Sequence, residues 1–216
     1  MNYLIIAAAL ALLAGLLYYA KQESVNGQLM TKPFLSLLFI AAAMLQPHQN
    51  PTYYYLILTG LGLCLIGDVC LIFFANRKVF TAGLVAFLAG HILYVIAFFS
   101  FGVTGPFVWI TMVVCLCLST GVFLWLRPHL GEMLGPVIAY ILIITVMVIA
   151  ASALISNTGI DMTARILVFA GAVLFYFSDI FVARHRFVKK EFLNRAAGLP
   201  MYYAAQFMIA FSTGLI

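Results

Sequence analysis

Charge is what this sequence has least of. Asp and Glu number 6 and Lys and Arg 11 in 216 residues, so charged side chains make up 8% of the chain. Soluble domains carry about 25%. Such a chain cannot clothe a water-facing surface, and a soluble globular protein is excluded. On a soluble protein the net charge of +5 would point to an acidic partner such as nucleic acid. Here it is read as orientation instead, because basic residues collect in cytoplasmic connections of membrane proteins.

Other absences narrow the field. The four cysteines, Cys64, Cys70, Cys115 and Cys117, lie inside apolar runs and form no CxxC pair, so neither a disulfide framework nor a redox motif is indicated. They read as small helix-packing residues. No Walker loop or dinucleotide fingerprint occurs, and no cofactor is expected. His48, His91, His129 and His185 are scattered, with no HxxxH pair, and a zinc site wants three or four converging ligands. No metal is expected. The alternation of an outer-membrane strand is missing too, since the apolar runs are continuous. The opening run NYLIIAAALALLAGLLYYA lacks a positive n-region and small residues at both cleavage positions, and reads as a first span.

What is present is apolar length: 66% of residues are hydrophobic, and a spanning helix needs about 20 of them in succession. Polar breaks define segments near 3–20, 33–46, 53–74, 79–100, 105–126, 134–155, 163–183 and 197–216, the second extendable toward Gly27. The expectation is an all-α integral membrane protein, a polytopic bundle of about eight transmembrane helices forming a single transmembrane domain over 1–216. Lys and Arg fall in the odd connections: Lys21 and Lys32, then Arg77 and Lys78, then Arg127, then Arg184, Arg186, Lys189, Lys190 and Arg195. The even connections hold only Arg165, at the edge of the sixth. That bias predicts odd connections in the cytoplasm and both termini on the extracytoplasmic side, with a bacterial cytoplasmic membrane as the expected setting.

Two aspartates then stand out. Asp68 lies seven residues before the expected inner edge near Ala75, about 10 Å deep, and Asp179 five before Arg184, about 7–8 Å deep. Tyr202 and Tyr203 return from the same surface to about 10–12 Å, with Gln206 a turn above Tyr202. His91 is deeper, with Tyr94 one turn beyond, and Asn76 lies eight residues past Asp68. A charged aspartate at a helix centre costs about 2.5–3.5 kcal/mol on insertion scales, so two at matched depth indicate a shared polar site. Ser178 beside Asp179 does not make a nucleophile and base, since adjacent helical residues diverge by about 100°. The intervals Asp68 to His91 and Asp179 to Tyr202 are both 23 residues, which raises a parallel four-plus-four repeat.

The stretches GLGLCLIGDVCLIF (60–73), FLAGHILYVIAF (87–98), GAVLFYFSDIFVARHRF (171–187) and YYAAQFMIAF (202–211), in that order, resemble the YhhN family of membrane proteins, which includes lysoplasmalogenases. The resemblance implies an eight-helix hydrolase that cleaves the vinyl ether of a lysoplasmalogen, or of a related ether lysolipid, to a fatty aldehyde and a glycerophospho-alcohol. It points to Asp68 and Asp179 as the catalytic pair. The partners would be a lysophospholipid substrate and membrane lipids, with oligomeric state left open. The chemistry agrees: protonation of carbon, capture by water and stabilisation of a cation suit two carboxylates, as in inverting glycosidases. His91, Tyr94, Tyr202, Tyr203, Gln206 and Asn76 are the expected substrate-binding residues. A proton-coupled transporter or a lipid-binding membrane protein would use the same buried carboxylates.

Overall fold

The structure, a computed structural model, describes residues 2–216. Among these residues the chain forms eight α-helices: α1 (Asn2–Lys21), α2 (Val25–Met44), α3 (Pro51–Ile72), α4 (Arg77–Phe101), α5 (Pro106–Leu130), α6 (Leu134–Ile155), α7 (Met162–Ala183) and α8 (Phe192–Ser212). A 3₁₀ turn (Gly131–Met133) joins α5 to α6, and a π-helical turn (Arg184–Val188) follows α7. Six segments are helical, long and apolar enough to cross a membrane, α5 and α6 counting together as Pro106–Ile155; α8 is not among them. The chain is an integral, all-α polytopic membrane protein.

Local chemistry sets the helix starts. Asn50 accepts a hydrogen bond from the Tyr53 amide, with Pro51 at the first helical position of α3. Asp161 accepts from the Thr163 and Ala164 amides at the head of α7. Each satisfies donors that a helix start leaves orphaned. Outward faces remain apolar, as with Trp109, Ile110 and Val113 on α5, which lipid tolerates and water would not.

Two helices begin earlier than the apolar runs suggest. α2 starts at Val25 and not near residue 33, because Ser24 caps it by accepting from the Gly27 amide, and Pro33 is carried inside the helix. α8 starts at Phe192 and not near 197, with Pro200 inside it. Both corrections move a cation from a connection into a helix: Lys32 becomes part of α2 and Arg195 part of α8.

The helices pack as hairpins, α1 on α2, α3 on α4, α5 on α6 and α7 on α8, with α4 also against α6 and α2 against α8. Glycine makes the α3–α4 contact close. A Cβ on Gly90 would lie 3.0 Å from the Gly60 carbonyl oxygen, and one on Gly67 only 2.6 Å from the Phe87 ring. Small residues at such crossings let backbones approach in lipid, where packing and not water release drives association.

Candidate active site

Gly67 lets the Phe87 ring lie directly over the backbone beside Asp68, which is 1% exposed. The carboxylate meets α2 on one side and α8 on the other. Lys32 and Ser36, one turn apart on α2, both reach it: Lys32 Nζ stands 3.0 Å from Asp68 Oδ1 and donates to the Asp68 carbonyl oxygen at 3.1 Å. Ser36 Oγ donates to Oδ2 at 2.6 Å. From α8, the Tyr202 hydroxyl donates to the same Oδ2 at 2.6 Å. A buried charge is tolerable only when paired and hydrogen-bonded, and Asp68 is both.

Behind Tyr202 runs a chain of donors. Gln206 Nε2 donates to the Tyr202 oxygen at 3.1 Å, and the Tyr94 hydroxyl donates to Gln206 Oε1 at 3.0 Å. Tyr203 stands 3.3 Å from Ser36 Oγ. These contacts tie α2, α3, α4 and α8 into one buried polar network. His91 lies beside it, with Nδ1 2.5 Å from the Phe87 carbonyl oxygen and its ring edge-on to Phe175 at 4.5 Å. Its Nε2 has no partner among the described residues.

Asp179 sits differently. Its Oδ2 accepts from the Tyr140 hydroxyl of α6 at 2.8 Å, and among the described residues no Lys, Arg or His pairs with it. Ser178 turns away and donates to the Phe175 carbonyl at 2.9 Å.

Both aspartates line one cavity of about 140 Å³. Its lining residues are mostly aromatic and aliphatic, Phe87, Tyr140, Ile144 and Tyr202 among them, and its polar residues also include Gln28, Lys32, His185, Asn194 and Arg195. Of the residues expected at the site, Asp68, Asp179 and Tyr202 line this cavity. His91, Tyr94, Tyr203 and Gln206 are buried behind it and support it. Asn76 does not join them. It is exposed and caps α4, accepting from the Lys78 and Val79 amides at 3.0 and 3.3 Å, because a side chain that satisfies a helix start is held at the surface with it.

Three residues at the site carry no distinct signal in the sequence. Lys32 reads as a connection charge, and Arg195 belongs to a basic cluster, 184–195, that reads first as a mark of topology and second as a lipid-phosphate contact. Tyr140 sits in an apolar helix, where nothing in its surroundings distinguishes a packing aromatic from a hydrogen-bond donor. Among the described residues no group of three or more His, Cys, Asp or Glu is placed to hold a metal ion.

Comparison with known proteins identifies the lineage. The chain belongs to the YhhN family, whose model matches residues 27–213. It is similar to lysoplasmalogenase TMEM86B of Rattus norvegicus, 30% identical over 161 residues, which is 74% of this chain. The match spans 62% of that protein's length. No solved structure matches the chain.

Proposed function

We propose that this protein is a membrane hydrolase that cleaves the vinyl ether of a lysoplasmalogen, or a closely related ether lysolipid, with Asp179 moving the proton and the Asp68 carboxylate stabilising the cation. The observation that carries the reading is the presence of two carboxylates in unlike settings lining one cavity. Asp68 is held by an ammonium and two hydroxyls, while Asp179 has a single tyrosine donor and no cation. The similarity to a lysoplasmalogenase supports the substrate class.

The chemistry distributes over these groups. Asp179 gives a proton from its carboxyl to the outer carbon of the vinyl ether, and the Tyr140 hydroxyl on Oδ2 leaves Oδ1 for that transfer. The carbon next to oxygen becomes an oxocarbenium ion, which the fixed Asp68 carboxylate faces and stabilises. Preoriented charge of this kind, surrounded by apolar walls, is worth more than the same charge in water. Water adds to the cation and returns a proton to Asp179. The resulting hemiacetal collapses to a fatty aldehyde and a glycerophospho-alcohol, so one water is consumed and the carboxyl is regenerated.

In this reading all eight helices cross the membrane, the basic connections lie in the cytoplasm, and the cavity receives its lipid from that leaflet. The whole chain then acts as one transmembrane domain. The parallel contacts of α4 with α6 and of α8 with α2 favour a repeat of four helices as its origin.

Purified protein in nanodiscs, given vinyl-ether, alkyl-ether and acyl lysolipids of one chain length, should release free aldehyde from the vinyl ether alone. Release of fatty acid from the acyl lipid, or no product from any of the three, would reject the assignment. Proton flux in proteoliposomes without aldehyde would point to transport instead.

A further inference from the structure

The cavity carries a second polar cluster that the hydrolytic chemistry does not use. Arg195, in the first turn of α8, is braced from two other elements. Its Nε donates to His185 Nε2 in the π-helical turn at 3.3 Å, and its Nη1 donates to Gln28 Oε1 of α2 at 3.3 Å. His185 is oriented in turn, with Nδ1 3.1 Å from the Glu191 carbonyl oxygen. That contact makes Nδ1–H the donor and leaves Nε2 its lone pair for Arg195. Both braces on the guanidinium are neutral acceptors. They fix its plane without cancelling its charge.

The nearby acids are engaged elsewhere. Glu23 pairs with Lys190 at 2.6 Å, and Glu191 pairs with Arg184 at 2.9 Å and Lys189 at 2.5 Å. Lys190 holds the Glu23 carboxyl below the usual carboxylate range, and Lys189, with Arg184, does the same for Glu191. Asp68 belongs to Lys32. Among the described residues, Arg195 has no carboxylate within ion-pair distance. A half-buried, preoriented guanidinium that lines a cavity and has no carboxylate paired to it is a receptor for an anion, and its planar fork matches phosphate.

Position identifies which anion. Arg195 and Tyr202 are seven residues apart on α8, two turns, so they share a face with a rise of about 10 Å between them. Tyr202 touches Asp68, so about two turns of α8 separate Arg195 from the residue that meets that carboxylate, and Arg195, Tyr202 and both aspartates line the same cavity. In a glycerophospholipid five single bonds separate the sn-1 ether oxygen from phosphorus, a reach of about 6 Å at ordinary bond lengths. The arginine side chain spans the remainder.

We propose that Arg195, oriented by His185 and Gln28, binds the phosphate of a lysophospholipid and sets the register of its ether bond against Asp68 and Asp179. The assignment rests on the hydrolytic reading for its substrate class, yet it concerns binding alone. It makes the protein selective for lysolipids that carry a phosphate over neutral glycerol ethers with the same chain.

Binding of lipids that lack the vinyl group separates this proposal from catalysis. An alkyl-ether lysophosphatidylcholine and the matched 1-O-alkylglycerol are titrated into protein in nanodiscs, beside glycerophosphocholine and inorganic phosphate. Arg195→Gln should weaken the lysophospholipid by about 10- to 100-fold, the scale of a charged hydrogen bond, and leave the alkylglycerol unchanged. Arg195→Lys should recover part of the loss. In the wild-type protein added salt should weaken the phospholipid and not the alkylglycerol, a result that needs no variant to fold. Equal weakening of both lipids, or none, or a salt-insensitive phospholipid, would overturn the proposal. Tight binding of inorganic phosphate or glycerophosphocholine, matching the intact lipid, would also overturn it by marking a free-phosphate site. Failure to release aldehyde while this discrimination persists would remove the catalytic reading and leave the binding site standing.

Discussion

Asp68 and Asp179 meet burial in different ways, and their substitutions should differ accordingly. Removing the Lys32 ammonium leaves the buried Asp68 carboxylate with two hydroxyl donors and no counter-charge. Lys32→Met should therefore destabilise the protein by about 3–5 kcal/mol, the scale for breaking one side of a buried pair. Adding Asp68→Leu should restore much of that stability, because the uncompensated charge goes with it. Thermal unfolding in detergent reads both, and additive losses would contradict the pairing. Activity should follow another order. Asp179→Asn should lower kcat by about 10²–10⁴, the scale of general acid–base catalysis, and Asp68→Asn by about 10²–10³, the scale of losing one preoriented stabilising group. The double variant should fall little further, since groups that act as a unit are not additive. The aspartates were legible in the sequence because a carboxylate in an apolar run has few bland explanations. Lys32 and Arg195 were not, since a cation beside a polar break reads equally well as a mark of topology. The rule that counts basic residues in connections drew both out of the helices that hold them.

At the scale of the element, the close α3–α4 crossing positions the carboxylate. Gly67→Ala would press a methyl into the Phe87 ring, 2.6 Å from the added carbon. It should cost about 1–3 kcal/mol of stability, as overpacking does, and lower activity by moving the ring that covers Asp68. Gly121 on α5 has nothing within 4 Å of its added carbon, so Gly121→Ala should be neutral or slightly stabilising, given alanine's better helix propensity. Unfolding midpoints for the two variants make the comparison, and equal effects would contradict the packing account. Helix existence was plain from apolar length. The starts of α2 and α8 were hidden by polar residues, Gln28, Thr31 and Lys32 ahead of Pro33 and Asn194 and Arg195 ahead of residue 197, although each helix continues through them and carries a proline internally. A span in lipid tolerates such a residue because neighbouring helices satisfy the freed carbonyl.

For the whole molecule, topology governs which leaflet feeds the cavity. On the proposed topology, eight crossings with the basic connections inside put both termini outward. A reporter fused after Ile216 that works only outside the cytoplasm should be active, and activity of a cytoplasm-only reporter would reverse the orientation. The central claim is that Asp179 protonates a vinyl-ether carbon within this cavity. Its most direct test is the mass of the aldehyde formed from a lysoplasmalogen in D₂O and trapped as it appears. The wild-type protein should yield aldehyde carrying one deuterium on the carbon next to the carbonyl, and Asp179→Asn should yield almost none. Aldehyde without that deuterium, or undiminished turnover by a folded Asp179→Asn protein, would contradict the account.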